Sequence, residues 1–208
     1  MSVLTRVFLL TIVSTVSAIP SYSQESKTGQ GSSAPADRPP AVEHNPNAWK
    51  EYSSKRGLFT IIFPGTPTDD DNSSGTPSRL EGRKYMLTTT AVYAVYYMDF
   101  PADFPNDLEK EGMLRKQWFD NARDATVSQS KARFLDETDI AIDGHPGRLL
   151  KLALPGGGIL REKQFVVGKR VYQILVITPK ESLAPDGGRF DQSRATRFLD
   201  SFKLAKPE

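Results

Sequence analysis

The sequence predicts an α+β fold in which an antiparallel sheet of about six to seven strands is flanked by two main helices. Short runs rich in Val, Ile, Thr and Tyr alternate with turns that contain Gly or Pro, which is typical of consecutive antiparallel strands. Residues 170–178 are apolar at both odd and even positions, as expected of a central strand covered on both faces. Near the C-terminus, Ala195, Phe198, Leu199 and Phe202 fall on one helical stripe.

Each element has its own local signal. Pro64 and Pro67 end the first strand, and a polar loop is expected over 69–77. Asn106 and Glu109 form an N-cap with a capping-box partner, which predicts the start of the first helix. Gly168 and Lys169 predict a two-residue hairpin. The expected strands are 58–63, 83–89, 92–100, 133–142, 148–154, 159–167 and 170–178, and the expected helices are 106–128 and 192–202.

The N-terminal residues are expected to direct export. Residues 1–23 combine a basic start at Arg6, a short apolar stretch and small residues before two cleavage sites, after Ala18 or after Ser23. This predicts a signal peptide; the alternative is a membrane anchor that is not cleaved. Residues 24–47 are rich in Pro and Ser and predict a disordered linker, and 48–206 predict a single α+β domain. The expected location is periplasmic or extracellular, with no membrane span after cleavage.

Composition excludes several kinds of chemistry. The 208 residues include no cysteine, which excludes disulfides, zinc–thiolate sites and iron–sulfur clusters. The formal net charge of +2 provides no strong field toward nucleic acid, and no nucleic-acid partner is expected. No phosphate-binding loop precedes a helix, and no cofactor is expected.

Four segments resemble a known family of folds. They are LFTIIFPGTP at 58–67, GHPGRLL at 144–150, VYQILV at 171–176 and RFLDSFKL at 197–204. Together with the order of elements, they resemble exported bacterial domains of unknown function that have the PsbP-like or DcrB-like fold. That resemblance implies an antiparallel sheet between helices and a non-catalytic accessory role.

Few residues offer catalytic chemistry. His145 is the one histidine of the expected domain and falls in a predicted turn over 143–147, where an exposed turn residue is expected rather than a general base. Asp136, Glu137 and Asp139 are clustered carboxylates, interpreted as a solvated face. The sequence therefore predicts no catalytic, cofactor-binding or metal-ligating residue.

Aromatic residues are densest in the third expected strand and in the segment that follows it, just before the first helix. They suggest a candidate binding surface or, alternatively, packing between sheet and helix. Tyr96 and Tyr97 are adjacent in a strand and are expected on opposite faces. The residues of the candidate surface are Tyr93, Tyr96, Tyr97, Phe100 and Phe104.

The sequence thus predicts an exported, non-catalytic binding or protein-interaction domain whose partner is an unknown envelope protein or small ligand. Two alternatives stay open. One is an envelope-associated hydrolase that uses carboxylates, and the other is a purely structural envelope component.

Overall fold

The computed structural model describes residues 49–71, 81–89, 91–100, 112–179 and 192–206. The residues expected to form the signal peptide and the linker lie outside these ranges, as do Phe104, Asn106 and Glu109. The elements are β1 Lys50–Ser54, β2 Phe59–Phe63, β3 Thr68–Asp71, β4 Glu81–Thr88, β5 Val92–Asp99, α1 Gly112–Ser130, β6 Arg133–Ile142, β7 His145–Ala153, β8 Ile159–Val167, β9 Arg170–Thr178, α2 Gln192–Asp200 and β10 Lys203–Leu204.

Two antiparallel sheets form the described fold. The large sheet has seven strands in the order β3-β4-β5-β9-β8-β7-β6, and the small sheet has three in the order β1-β2-β10. The predicted α+β class with an antiparallel sheet of six to seven strands and two helices is confirmed. The prediction for residues 170–178 also holds, because β9 occupies the middle of the large sheet. The small sheet was not predicted.

The large sheet is covered on both sides. On one side, here called the small-sheet face, Tyr93, Ile174 and Val176 pack against the small sheet and α2. Phe198 of α2 meets Phe63 of β2 with ring centroids 5.1 Å apart. On the other side, here called the α1 face, Trp118, Phe119 and Ala122 of α1 pack against strand residues that include Val166 and Val171. The result is a layered structure with the large sheet in the middle.

Several expected boundaries are corrected. The polar loop expected from Asp69 begins instead with a strand, because Thr68–Asp71 pairs with β4 and extends the sheet edge. Strand β2 starts at Phe59 rather than at 58, since Leu58 has a positive φ of 52°. Helix α2 ends at Asp200, and the buried Phe202 follows it.

Tight turns connect α1 to β6, β6 to β7 and β8 to β9. Lys131, with φ 52°, ends α1 in a left-handed conformation, and the Ala132 amide donates to the Val127 carbonyl at 3.1 Å. Asp143 and Gly144 both have positive φ and connect β6 to β7. His145 is therefore the first residue of β7, paired with Ile142, rather than a turn residue as expected. The predicted hairpin at Gly168 and Lys169 is present between β8 and β9.

Candidate functional site: the β6 edge and the charged groups beside it

The aromatic residues of the candidate binding surface are core residues where the structure describes them. Tyr93 and Tyr97 pack on the small-sheet face, while Tyr96 and Phe100 belong to the clusters of the opposite face. Burial raises the pKa of Tyr93 to about 12. Strand β5 lies between β4 and β9, and both of its faces are covered, so these four side chains are not accessible to a partner. Phe104 lies outside the described residues.

An accessible feature is found at one edge of the large sheet, at strand β6. Strand β6 is ten residues long and, within the described parts of the chain, pairs with β7 on one side only. An edge strand presents backbone N–H and C=O groups to which another extended chain can bind. This edge was not predicted, because strand order is set by long-range pairing.

The two faces of β6 differ in chemistry. Glu137 is paired with Leu150 and Asp139 with Arg148, which places both carboxylates on the α1 face. Ile140 and Ile142 point to the opposite face and pack at the margin of the core there. The register shifts between Phe134 and Asp136, so that Phe134 returns to the α1 face, where 45% of its surface is exposed. The edge is therefore acidic on one face and partly apolar on the other.

An ion-pair network joins α1 to this edge. The Arg148 side chain is buried, with its Nη1 2.7 Å from Asp120 Oδ1 of α1 and 2.8 Å from Glu137 Oε1 of β6. Its guanidinium carbon lies 5.1 Å from the centre of the Phe119 ring. Arg123 of α1 also contacts Glu137, with Nη1 3.0 Å from Oε2. Glu137 is thus shared by two arginines and is not the simply solvated residue that the sequence predicted.

Basic side chains contact Asp120 more closely than Asp139. Hydrogen bonds from Lys116 and Arg148 hold the pKa of Asp120 below its ordinary value. The Asp139 side chain is 87% exposed and approaches Arg148 Nε only to 3.4 Å. Asp139 therefore provides an accessible carboxylate beside the β6 backbone.

A second polar group is buried under the α1 face. Glu162 of β8 is 1% exposed, and its Oε1 accepts a hydrogen bond of 2.9 Å from Gln164 Nε2. Gln173 of β9 also hydrogen-bonds to it. Burial raises the pKa of Glu162 to about 7 against the lowering effect of both amides. Gln164 Oε1 is buried and has no hydrogen-bond partner among the described residues.

Glu162, Arg148 and Gln164 were not singled out from the sequence. The available signal was the pairing of residues 159–167 with a strand that is apolar on both faces. That pairing places Glu162 opposite the apolar Leu175 and Gln164 opposite Gln173.

The basic residues of the β8–β9 hairpin form contacts inside the fold. Arg170 binds the Asp99 carboxylate with two nitrogens, at 2.5 and 2.6 Å. Lys163 Nζ lies 2.6 Å from Asp200 Oδ1. These charges therefore tie β9 to β5 and β8 to the end of α2.

Among the residues that the structure describes, no helix has the length and apolar character needed to cross a membrane. Nor do the described residues include a group of three or more His, Cys, Asp or Glu side chains arranged to hold a metal ion.

Comparison with known proteins supports the fold alone. No protein-family model matches the chain, and no curated protein matches it by sequence. The solution structure of cyanobacterial PsbP (CyanoP) from Synechocystis sp. PCC 6803 superposes with a TM-score of 0.50 at 13% identity, covering 82% of this chain and 98% of that one. PA94, a protein of unknown function from Pseudomonas aeruginosa, matches with a TM-score of 0.32 at 13% identity, covering 63% of this chain and 83% of that one, and adds no argument. The resemblance expected from the sequence is confirmed: this chain has a PsbP-like fold.

Proposed function

We propose that this chain is an exported, non-catalytic protein-interaction domain that binds its partner along the β6 edge. The observation that carries the proposal is the ten-residue edge strand, paired on one side only within the described residues, with exposed side chains at Thr138, Asp139 and Ala141. A partner strand added here would gain backbone hydrogen bonds and contacts to alternating side chains.

Export is part of the same proposal. It is supported by the basic start, apolar stretch and small residues of 1–23, which are typical of a signal peptide. The Pro- and Ser-rich residues 24–47 would then serve as a tether that lets the domain reach partners in the periplasm or outside the cell.

The main alternative is carboxylate chemistry, and Glu162 is the residue that favours it. A pKa raised to about 7 suits a general acid. Glu162 is, however, 1% exposed, and the hydrogen-bond partners described for it are two amides rather than a second carboxylate. Substrate would reach it only if the α1 face opened. The contacts of Glu162 therefore favour a buried structural group over a catalytic one.

Site-specific photocrosslinking in cells tests the interaction. A photoreactive residue at Thr138 or Ala141 of β6 is expected to give one defined adduct, identified by mass spectrometry, and the same residue at the exposed Thr196 of α2 is the matched control. Identical adducts from all three positions, or none from β6, would contradict the proposal. The variants Glu162→Gln and His145→Ala should leave both the adduct yield and any measurable biological activity within about a few-fold. If either residue were a general base, its loss would instead lower the rate of the catalysed reaction by roughly 10²–10⁴-fold.

Intact-mass analysis of the protein from the cell envelope tests export. The expected mature N-terminus is Ile19 or Gln24, because each follows a pair of small residues. A mature species that retains Met1 would show that the segment is not cleaved.

A further inference from the structure

We infer that the β6 edge binds an extended segment in which basic residues alternate with apolar ones, the basic side chains lying on the α1 face. This inference rests on the proposed function and adds the chemistry of the partner. A strand added to an edge places its side chains alternately on the two faces of the sheet. The partner must therefore match two different surfaces at every second residue.

The α1 face of the edge favours positive charge. Glu137 and Asp139 lie on this face, whereas Asp136, which pairs with Lys151, lies on the opposite face. Arg148 and Arg123 already neutralise Glu137, whereas the Asp139 side chain is 87% exposed and lies 3.4 Å from Arg148 Nε. On an added strand, a side chain directly across from Asp139 would lie about 5 Å away, within reach of an ion pair.

The opposite face favours apolar side chains. Ile140 and Ile142 are packed against the core on one side and remain partly exposed on the other. Apolar residues on an added strand would remove the rest of their surface from water, which is favourable in proportion to the area buried. Thr138, on the same face, adds a β-branched neighbour typical of strand pairing.

Two other occupants fit the edge less well. If two copies of this chain paired antiparallel through the centre of β6, Glu137 and Asp139 of one copy would oppose those of the other, and like charges directly opposite are destabilising. The chain's own residues 24–47 contain Pro35, Pro39, Pro40 and Pro46, and each proline lacks the N–H that a strand donates.

Binding of a defined peptide tests the inference. The probe is a fluorescent nine-residue peptide of alternating Lys and Val with blocked termini, titrated into the full mature chain. We expect saturable binding that weakens as salt rises, and loss of binding when alternate peptide nitrogens are methylated, because methylation removes strand hydrogen bonds. Asp139→Lys is expected to weaken binding about tenfold, whereas Glu51→Lys on the exposed part of β1 should change it less than about twofold.

Several results would overturn the inference. They are equal binding of a Glu/Val peptide, indifference to methylation, or equal effects of Asp139→Lys and Glu51→Lys. A dimer whose formation is lost on substitution in β6 would identify a second copy as the occupant. Protection of all β6 amides from hydrogen exchange in the peptide-free monomer would identify another segment of the same chain as the occupant. Crosslinks from Thr138 together with failure of the Lys/Val peptide would retain the proposed function and reject this partner chemistry.

Discussion

Replacing Glu162 by Gln is expected to stabilise the protein at pH 8 and to have little effect at pH 5. Glu162 is fully buried on the α1 face, and burial raises its pKa from 4.5 to about 7. The folded state therefore holds a proton that the unfolded state releases between these two pH values. Since the folded state binds more protons there, stability falls as the pH rises from about 4.5 to about 7 and is constant above that range for this group.

The magnitude follows from the two pKa values. Their difference corresponds to about 3 kcal/mol of folding free energy lost to the buried charge at pH 8, at about 1.4 kcal/mol for each tenfold change. Gln keeps an oxygen to accept the hydrogen bond from Gln164 Nε2, and its amide can donate to Gln164 Oε1, which has no hydrogen-bond partner in the described part of the chain. We therefore expect the variant to gain up to about 3 kcal/mol at pH 8.

Urea unfolding of both proteins at pH 5 and pH 8 measures the effect. The informative quantity is the free energy of unfolding of the variant minus that of the natural protein at each pH, since other carboxylates such as Asp120 contribute to both. Glu51→Gln, on the exposed side of β1, is the matched control and should change this free energy by less than about 0.5 kcal/mol. If the variant gains the same free energy of unfolding at both pH values, or loses it at pH 8, the conclusion that Glu162 carries a buried charge at pH 8 is refuted.

Three further substitutions test packing through the free energy of unfolding. Arg148→Ala should cost about 1.5–3 kcal/mol, because Asp120 and Glu137 each lose a charged hydrogen-bond donor but keep Lys116 and Arg123; a loss below about 1 kcal/mol would show that water replaces it. Phe202→Ala should cost about 3–5 kcal/mol, and Arg197→Ala, whose guanidinium lies 4.7 Å from a tryptophan ring centre, about 1 kcal/mol or less; equal losses would contradict the docking of α2 and the buried residue after it. Gly147→Ala should cost about 1–3 kcal/mol, since an added Cβ would lie 2.5 Å from a backbone carbonyl oxygen of β8, and a neutral result would contradict that close approach.

Local signals predicted the strands of the large sheet other than β3, because their periodicity and turns are encoded in neighbouring residues. Strands β6, β8 and β9 have the predicted bounds, and each is bordered by residues that form a turn or end a helix. The small sheet was missed because β10 has two residues and β1 reads KEYSS, so neither contains an apolar run. These strands are set by pairing with β2 rather than by their own sequence.

The candidate site depended on contacts that sequence alone does not specify. The density of tyrosines in β5 was visible, but its meaning depends on β5 lying between β4 and β9, which buries them. The open side of β6 likewise depends on which strand ends the sheet. Arg148 and Asp120 are 28 residues apart and meet only because α1 lies across the end of the sheet near β7.

Amide hydrogen exchange, followed residue by residue by NMR, tests the central claim that β6 is an open edge and β9 the centre of the sheet. For the partner-free protein, every second amide of Arg133–Ile142 should exchange nearly as fast as in an unfolded chain, because alternate N–H groups of an edge strand point to solvent. The amides of Arg170–Thr178 should be protected throughout and be among the slowest to exchange. Uniform protection along Arg133–Ile142, equal to that of β9, would contradict an open edge and the interaction proposed for it.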